Sequence, residues 1–244
     1  MANMHGRIYG NNTYYDTYST FYRTETIPNL PSSFTVKFEN NVQYRATAYI
    51  AIDKNGLPYG NPTGEKCLWA GDAASAFRGS GVKKISNLPN NITNLSFAFF
   101  NSSIENIIEN SFSNNVINVT SCFAHTHNFN TPFTFGKNVT SFTSTFAYSN
   151  YNSEIKLLSQ NVKSMNYTFD HSNYNQRPYF LENINGNIYF DGTFLDDQKF
   201  NHPILLKANL VSGKYMFANC KNFNSVINIP NIIRYNEKDD NITR

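Results

Sequence analysis

The chain has 244 residues and a formal net charge of +3, with 15% charged and 16% aromatic side chains. So many aromatics with so few charges exclude intrinsic disorder. So small a net charge excludes binding to nucleic acid or to membrane surfaces by electrostatics alone. Polarity comes from amides and hydroxyls instead, and Asn alone is about one residue in six.

Residues 1–66 carry no repeat. Met1 to Gly10 holds one Arg and no apolar run, so it does not read as a secretory signal. Gly6 to Tyr22 is rich in Tyr, Thr and Asn with little periodicity and reads as an extended arm. Its aromatics Tyr14, Tyr15, Tyr18, Phe21 and Tyr22 have no pattern that would bury them, so they are candidate partner anchors. Phe34-Thr-Val36-Lys-Phe38 alternates and predicts a strand. Val42 to Ile52 predicts a second strand, and Asn40-Asn41 suits a tight turn between the two. This β region, over 30–66, is expected to dock onto a partner or to cap the repeats that begin at about residue 67.

From about residue 67 to 235 the chain repeats. Phe77, Phe99, Phe123, Phe146, Phe169, Phe194 and Phe217 recur every 22 to 25 residues. Five or six residues after each anchor stands another apolar residue: Val82, Ile104, Phe129, Tyr151, Tyr174, Phe200 and Phe223. In the last five units Asn follows it, at Asn130, Asn152, Asn175, Asn201 and Asn224. A buried Asn at a stacked bend would satisfy backbone groups on its own or the next level.

Before the anchor, Val139, Phe142 and Phe146 sit at i, i+3 and i+7, the spacing of a short helix or of successive helical turns. After it the period falls to two. Phe133-Thr-Phe135, Ile155-Lys-Leu157, Ile204-Leu-Leu206 and Ile227-Asn-Ile229 predict one short strand per unit. Arg177-Pro178-Tyr179-Phe180 fills the same slot, weakened by its proline. One such unit cannot bury its own apolar face, so the expectation is an α+β repeat solenoid of about seven units with parallel strands. Residues 236–244 form a polar tail.

Val139-Thr-Ser-Phe-Thr-Ser-Thr-Phe, Val162-Lys-Ser-Met-Asn-Tyr-Thr-Phe and Lys214-Tyr-Met-Phe-Ala-Asn-Cys-Lys-Asn-Phe-Asn resemble the BspA-like leucine-rich repeat. The resemblance covers about two thirds of the chain. It is good over the last five units and weaker around Phe77 and Phe99. It implies a scaffold of the kind found in surface adhesins and phage structural proteins, with a tendency to bind and no active site.

Candidate chemistry is sparse. Three Cys (Cys67, Cys122, Cys220) without zinc-type spacing read as reduced, buried thiols. His125-x-His127 reads as a solvated bend. Asp196-Asp197 lacks the glycine-rich acidic pattern of a calcium loop. No G-x-S-x-G, phosphate loop or run of 18 apolar residues occurs, so neither an enzyme, a metal, a cofactor nor a membrane span is expected. The outward strand positions Thr134, Lys156, Tyr179, Leu205 and Asn228, with Arg177 beside them, form a candidate contact face. Tyr148, His171 and Tyr174 form another on the bends.

These features lead to the expectation of a non-enzymatic bacteriophage virion structural protein, from a tail, baseplate, fibre or capsid-attached position. Such a protein is made in the host cytoplasm and reaches the outside by lysis. Its expected partners are other virion proteins, with a host receptor or glycan as a further candidate, in a homo-oligomer or larger assembly. The alternative is a cellular surface adhesin or interaction module.

Overall fold

The computed structural model describes residues 73–233 except 80–82, 86, 87, 89 and 91, together with five strand segments nearer the N-terminus. Those segments are β1 (Arg7–Gly10), β2 (Thr13–Asp16), β3 (Thr35–Val36), β4 (Ile50–Ile52) and β5 (Pro58–Tyr59). β1 pairs with β2 antiparallel and with β4 parallel, and β4 pairs with β5. The expected free arm is therefore corrected: residues 7–10 and 13–16 are a hairpin within a four-stranded sheet. The turn expected at Asn40-Asn41 lies outside the described residues. β3 pairs in parallel with β6 (Lys84–Ile85), which pairs with β7 (Asn106–Ile107). The non-repeat region thus supplies the first strand of the repeat ladder.

Beyond residue 73 the chain is a stack of levels, each named by its anchor Phe. Phe77, Phe99, Phe123, Phe146, Phe169 and Phe194 are buried, and neighbouring rings lie parallel at centroid distances of 5.4 to 5.8 Å. Phe217 continues the column at 5.6 Å but is only partly buried. A second column runs beside it through Phe129, Tyr151, Tyr174, Phe200 and Phe223. Within a level the two rings meet at 3.9 to 4.2 Å. The core is therefore two adjacent aromatic columns, flanked by Val139, Phe142, Val162 and Met165 and their equivalents.

The segment before each anchor is not an α-helix. Its residues alternate between two kinds of hydrogen bond. In the Phe99 level, the N–H groups of Leu95, Phe97, Phe99 and Asn101 donate to carbonyls of the next level, at Asn118, Thr120, Cys122 and Ala124. The N–H groups of Ala98 and Phe100 turn back to the carbonyls of Leu95 and Phe97. This alternation needs a left-handed residue two before and two after the anchor. Phe97 and Asn101 (φ 56° and 51°), Ser144 and Tyr148 (52° and 56°), and Tyr167 and His171 (56° and 51°) fill those places. The i, i+3, i+7 spacing thus marks consecutive turns. In the Phe194 level the first of these positions is Gly192 (φ 58°), where a Cβ would stand 2.4 Å from the Tyr167 ring.

Hydroxyls fasten the turns. Thr145 Oγ1 donates within its level to Phe142 O (2.8 Å) and lies 3.0 Å from Val119 O in the level before; Thr168 and Thr193 repeat the pattern.

The strand slots are β8 (Phe133–Phe135), β9 (Ile155–Leu157), β11 (Ile204–Leu205) and β13 (Ile227–Asn228), and they pair in parallel as β8 with β9 and β11 with β13. Between β9 and β11 the slot holding Pro178 is a 3-10 turn, Tyr179–Asn183, rather than the expected strand. Proline lacks the N–H that a ladder needs, so the sheet breaks there. At the other end, Asn110 (φ 48°) turns the chain so that Ser111, not β7, bridges to Thr134. A separate parallel ladder runs through Asn94, Asn118, Ser141, Ser164 and Tyr189. It continues through the pair β10 (Asn187–Tyr189) and β12 (Asn209–Ser212) to a bridge between Leu210 and Ile232. Among the described residues no helix is long and apolar enough to cross a membrane.

Candidate interaction surfaces

The Asn column is a hydrogen-bond chain between levels. Oδ1 of Asn130 accepts the N–H of Asn152 at 2.8 Å, and Asn152 accepts that of Asn175 at 2.7 Å. Asn175 accepts that of Asn201 at 3.1 Å, and Asn201 that of Asn224 at 2.8 Å. The expectation that these side chains are buried is corrected: Asn152 and Asn175 are half-buried and the other three exposed. The bend runs over the surface, and Asn supplies an acceptor where a passing N–H would otherwise face only water. The Oδ1 atoms of Asn130, Asn152, Asn175 and Asn201 are thus structural.

One bend differs. Ser149 and Ser172 each accept the N–H two residues on, at Tyr151 and Tyr174. In the Phe194 level the bend is one residue longer, and buried Asp197 replaces the serine. Its Oδ1 accepts the N–H groups of Lys199 and Phe200 at 3.0 and 3.2 Å, and its Oδ2 accepts the hydroxyl of Ser172 at 3.0 Å. Burial nonetheless pushes its pKa up to about 6, against the pull of those donors. The longer carboxylate reaches a donor that a serine would miss.

Of the predicted strand-face residues, Lys156 is exposed, Leu205 is half-buried and Tyr179 is 57% exposed. Tyr179 lies in the 3-10 turn, not on a strand. The Arg177 guanidinium stands 4.4 Å from the Tyr179 ring centroid and pairs with Glu182 at 3.6 Å. This region is a local cluster rather than a continuous sheet face. Of the arm residues, Tyr14 and Tyr15 belong to β2, while Tyr18, Phe21 and Tyr22 lie outside the described residues.

On the bends, Tyr174 is a core residue, which corrects its reading as a surface position. The other two form part of an exposed column two residues after the anchors. His125 stacks on Tyr148 at 4.8 Å and Tyr148 on His171 at 4.5 Å, with interplanar angles of 3° and 9°. Phe100 adjoins His125 at 4.9 Å, and the Arg78 guanidinium stands 4.6 Å from the Phe100 ring centroid. Burial, then the charge of His127, lowers the His125 pKa. The column ends at His171, whose Nδ1 is 2.6 Å from Asp170 and whose Nε2 is 3.6 Å from Asp196. Burial raises the Asp170 pKa, against its hydrogen bond and charge contact with His171.

The face at the C-terminal end of the stack was not legible as a surface, because its residues match the repeat. Among the described residues the Phe217 level is followed only by residues 231–233, where Ile232 bridges in parallel to Leu210, and no described ring stacks beyond Phe217 and Phe223. Phe217, Phe223 and Ile229 are only partly buried, and Tyr215 (70%), Val226 (66%) and Ile232 (61%) are largely exposed. Tyr215, Phe217 and Asn219 sit where earlier levels donate their N–H groups forward, and here those groups have no acceptor among the described residues.

Cys122 and Cys220 are free and buried, and burial pushes the Cys220 thiol up to about 12. Cys67 lies outside the described residues. Comparison with known proteins gives no match to any family model, curated protein or solved structure.

Proposed function

We propose that this chain is a non-enzymatic structural protein working through protein–protein contact. In this reading it is a BspA-like leucine-rich-repeat solenoid in a bacteriophage particle. The observation that carries the proposal is the open last level. A stack whose last aromatic rings and backbone donors have no cover among the described residues has an end suited to a neighbouring chain. An isolated scaffold is more stable with a polar cap, whereas an assembly subunit gains by leaving the end for its neighbour. The low charge and the excess of Asn, Tyr and Thr agree with this, because such a surface makes contacts by hydrogen bonds and aromatic packing rather than by salt-sensitive ion pairs. The cluster of Arg177, Tyr179 and Glu182 offers a second, lateral contact.

The test is mass spectrometry of purified particles, with copy number, for the wild type and for Val226→Asp/Ile227→Asp. Both positions are exposed, so the variant keeps its fold. The wild type is expected at a fixed copy number per particle, and the variant is expected to stay free. Absence of the wild type from particles, or its recovery in a cell-surface fraction, overturns the virion setting in favour of a cellular adhesin. Normal incorporation of the variant overturns the role of the end face.

A further inference from the structure

We infer that Asp170, His171 and Asp196 form a binding site for a divalent first-row cation of the Zn2+ class, at the exposed edge between the Phe169 and Phe194 levels. The three side chains offer ligand atoms within 4.8 Å of one another. Their roles differ. A carboxylate only accepts hydrogen bonds, so the 2.6 Å contact between Asp170 Oδ1 and His171 Nδ1 puts the imidazole proton on Nδ1. In the neutral ring the Nε2 lone pair is then free, and it faces Asp196 Oδ2 at 3.6 Å. Two acceptors face each other there, an arrangement relieved by a cation or by a proton on Nε2.

The spacing suits the cation. Two ligand atoms at about 2.0–2.1 Å on one tetrahedral zinc stand about 3.3–3.5 Å apart. Asp170, buried and hydrogen-bonded to the far side of the ring, then acts as the outer carboxylate that fixes tautomer and orientation.

The site is also held in place. The His171 ring is stacked on Tyr148, and the backbone N–H groups of His171 and Asp196 are tied to the following levels through Leu195 O and Ala218 O. Charge points the same way. Among the described residues, Asp170 and Asp196 have no ion-pair partner other than His171. Two carboxylates therefore share one imidazole, and even its protonated form leaves a net negative charge. Imidazole with carboxylate suits Zn2+, Ni2+, Co2+ or Cu2+ better than Ca2+, which takes oxygen ligands. Water completes the coordination. The bound ion clips two successive levels together, and binding to the folded chain alone raises its stability.

The experiment is calorimetric titration of the full chain with Zn2+ near neutral pH, with thermal melting alongside, repeated for His171→Ala, Asp196→Asn, Asp170→Asn and a His125→Ala/His127→Ala control. One ion per chain is expected, with a higher melting temperature on binding. His171→Ala is expected to abolish binding, and Asp196→Asn and Asp170→Asn to weaken it by about 10–100-fold. The control is expected to bind like the wild type. Asp196→Asn keeps a side chain that tolerates the left-handed backbone, so loss of binding in that folded variant is not a folding defect. Co2+ in place of Zn2+ is expected to give visible absorption without thiolate charge transfer, which separates this site from a cysteine site. No binding at millimolar Zn2+, full binding by His171→Ala, loss of binding in the control, or a thiolate band each overturns the assignment.

Discussion

Replacing Phe146 by Ala tests whether the aromatic column is the core that holds the levels together. The Phe146 ring is fully buried, between Phe123 at 5.6 Å and Phe169 at 5.8 Å, and it meets Tyr151 at 4.2 Å within its own level. Truncation removes the transfer energy of the ring and leaves a cavity. The cavity cannot close easily, because the levels on either side are spaced by backbone bonds: Phe123 N–H to Thr145 O and Phe146 N–H to Thr168 O, both 2.9 Å. Poor collapse places the cost at about 3–5 kcal/mol. Phe217→Ala is the internal comparison. That ring packs on Phe194 and Phe223 and is only partly buried among the described residues, so the expected cost is about 1–2 kcal/mol. Denaturant unfolding followed by circular dichroism and by Tyr fluorescence reads both. A Phe146→Ala cost below about 1 kcal/mol, or equal costs at the two positions, refutes the column as described.

Further outcomes are expected at three sites. Asn152→Ala removes the acceptor for the Asn175 N–H in a half-exposed bend and is expected to cost about 0.5–1.5 kcal/mol, while Asn138→Ala, at an exposed position, is expected to be neutral in the same melts. Asp197 has a folded pKa raised to about 6, so the folded state holds its proton more tightly than the unfolded chain. Stability is therefore expected to rise as pH falls from about 6 towards 4, by on the order of 2 kcal/mol. Asp197→Asn should flatten that rise in melts taken across the range. Gly192→Ala forces a Cβ into a left-handed position against the Tyr167 ring and is expected to lower stability by at least about 1 kcal/mol in denaturant titrations.

The repeat period and both aromatic columns could be read from the sequence, because stacking copies requires the same residue type at the same depth and the Phe and Asn spacing records that requirement. The path of the backbone between those positions could not. The spacing of Val139, Phe142 and Phe146 suits a helix as well as consecutive turns, and only the left-handed residues separate the two. Their second set, Gly79, Asn101, His125, Tyr148, His171, Asp196 and Asn219, is mostly of types that tolerate that conformation, so a signal was present. The first set, including Phe97, Ser121 and Ser144, carries none apart from Gly192. The 3-10 turn at Tyr179–Asn183 was half legible, since Pro178 announced a weak ladder but not its replacement. The meeting of His171 with Asp196 depends on register between levels, which single-level motifs do not express.

The one-way hydrogen bonding of the turns gives the stack an electrical polarity. In each level from Phe77 to Phe194 the four forward N–H groups point towards the C-terminal end, while the carbonyls they meet point back. The peptide units between these groups are aligned, as they are in an α-helix, but in four parallel files. With a peptide dipole of about 3.5 D and a rise of about 4.8 Å per level, each file ends in about 0.15 of an elementary charge, and four files give about 0.6. That is close to the end charge of one α-helix, with the sense reversed along the chain: the positive pole is at the C-terminal face. The N–H groups of Tyr215, Phe217 and Asn219, which have no acceptor among the described residues, lie at that pole. A chain that stacks on this end therefore meets a directed field as well as an apolar surface, and a segment presenting carbonyls or carboxylates is favoured over one presenting N–H groups or cations.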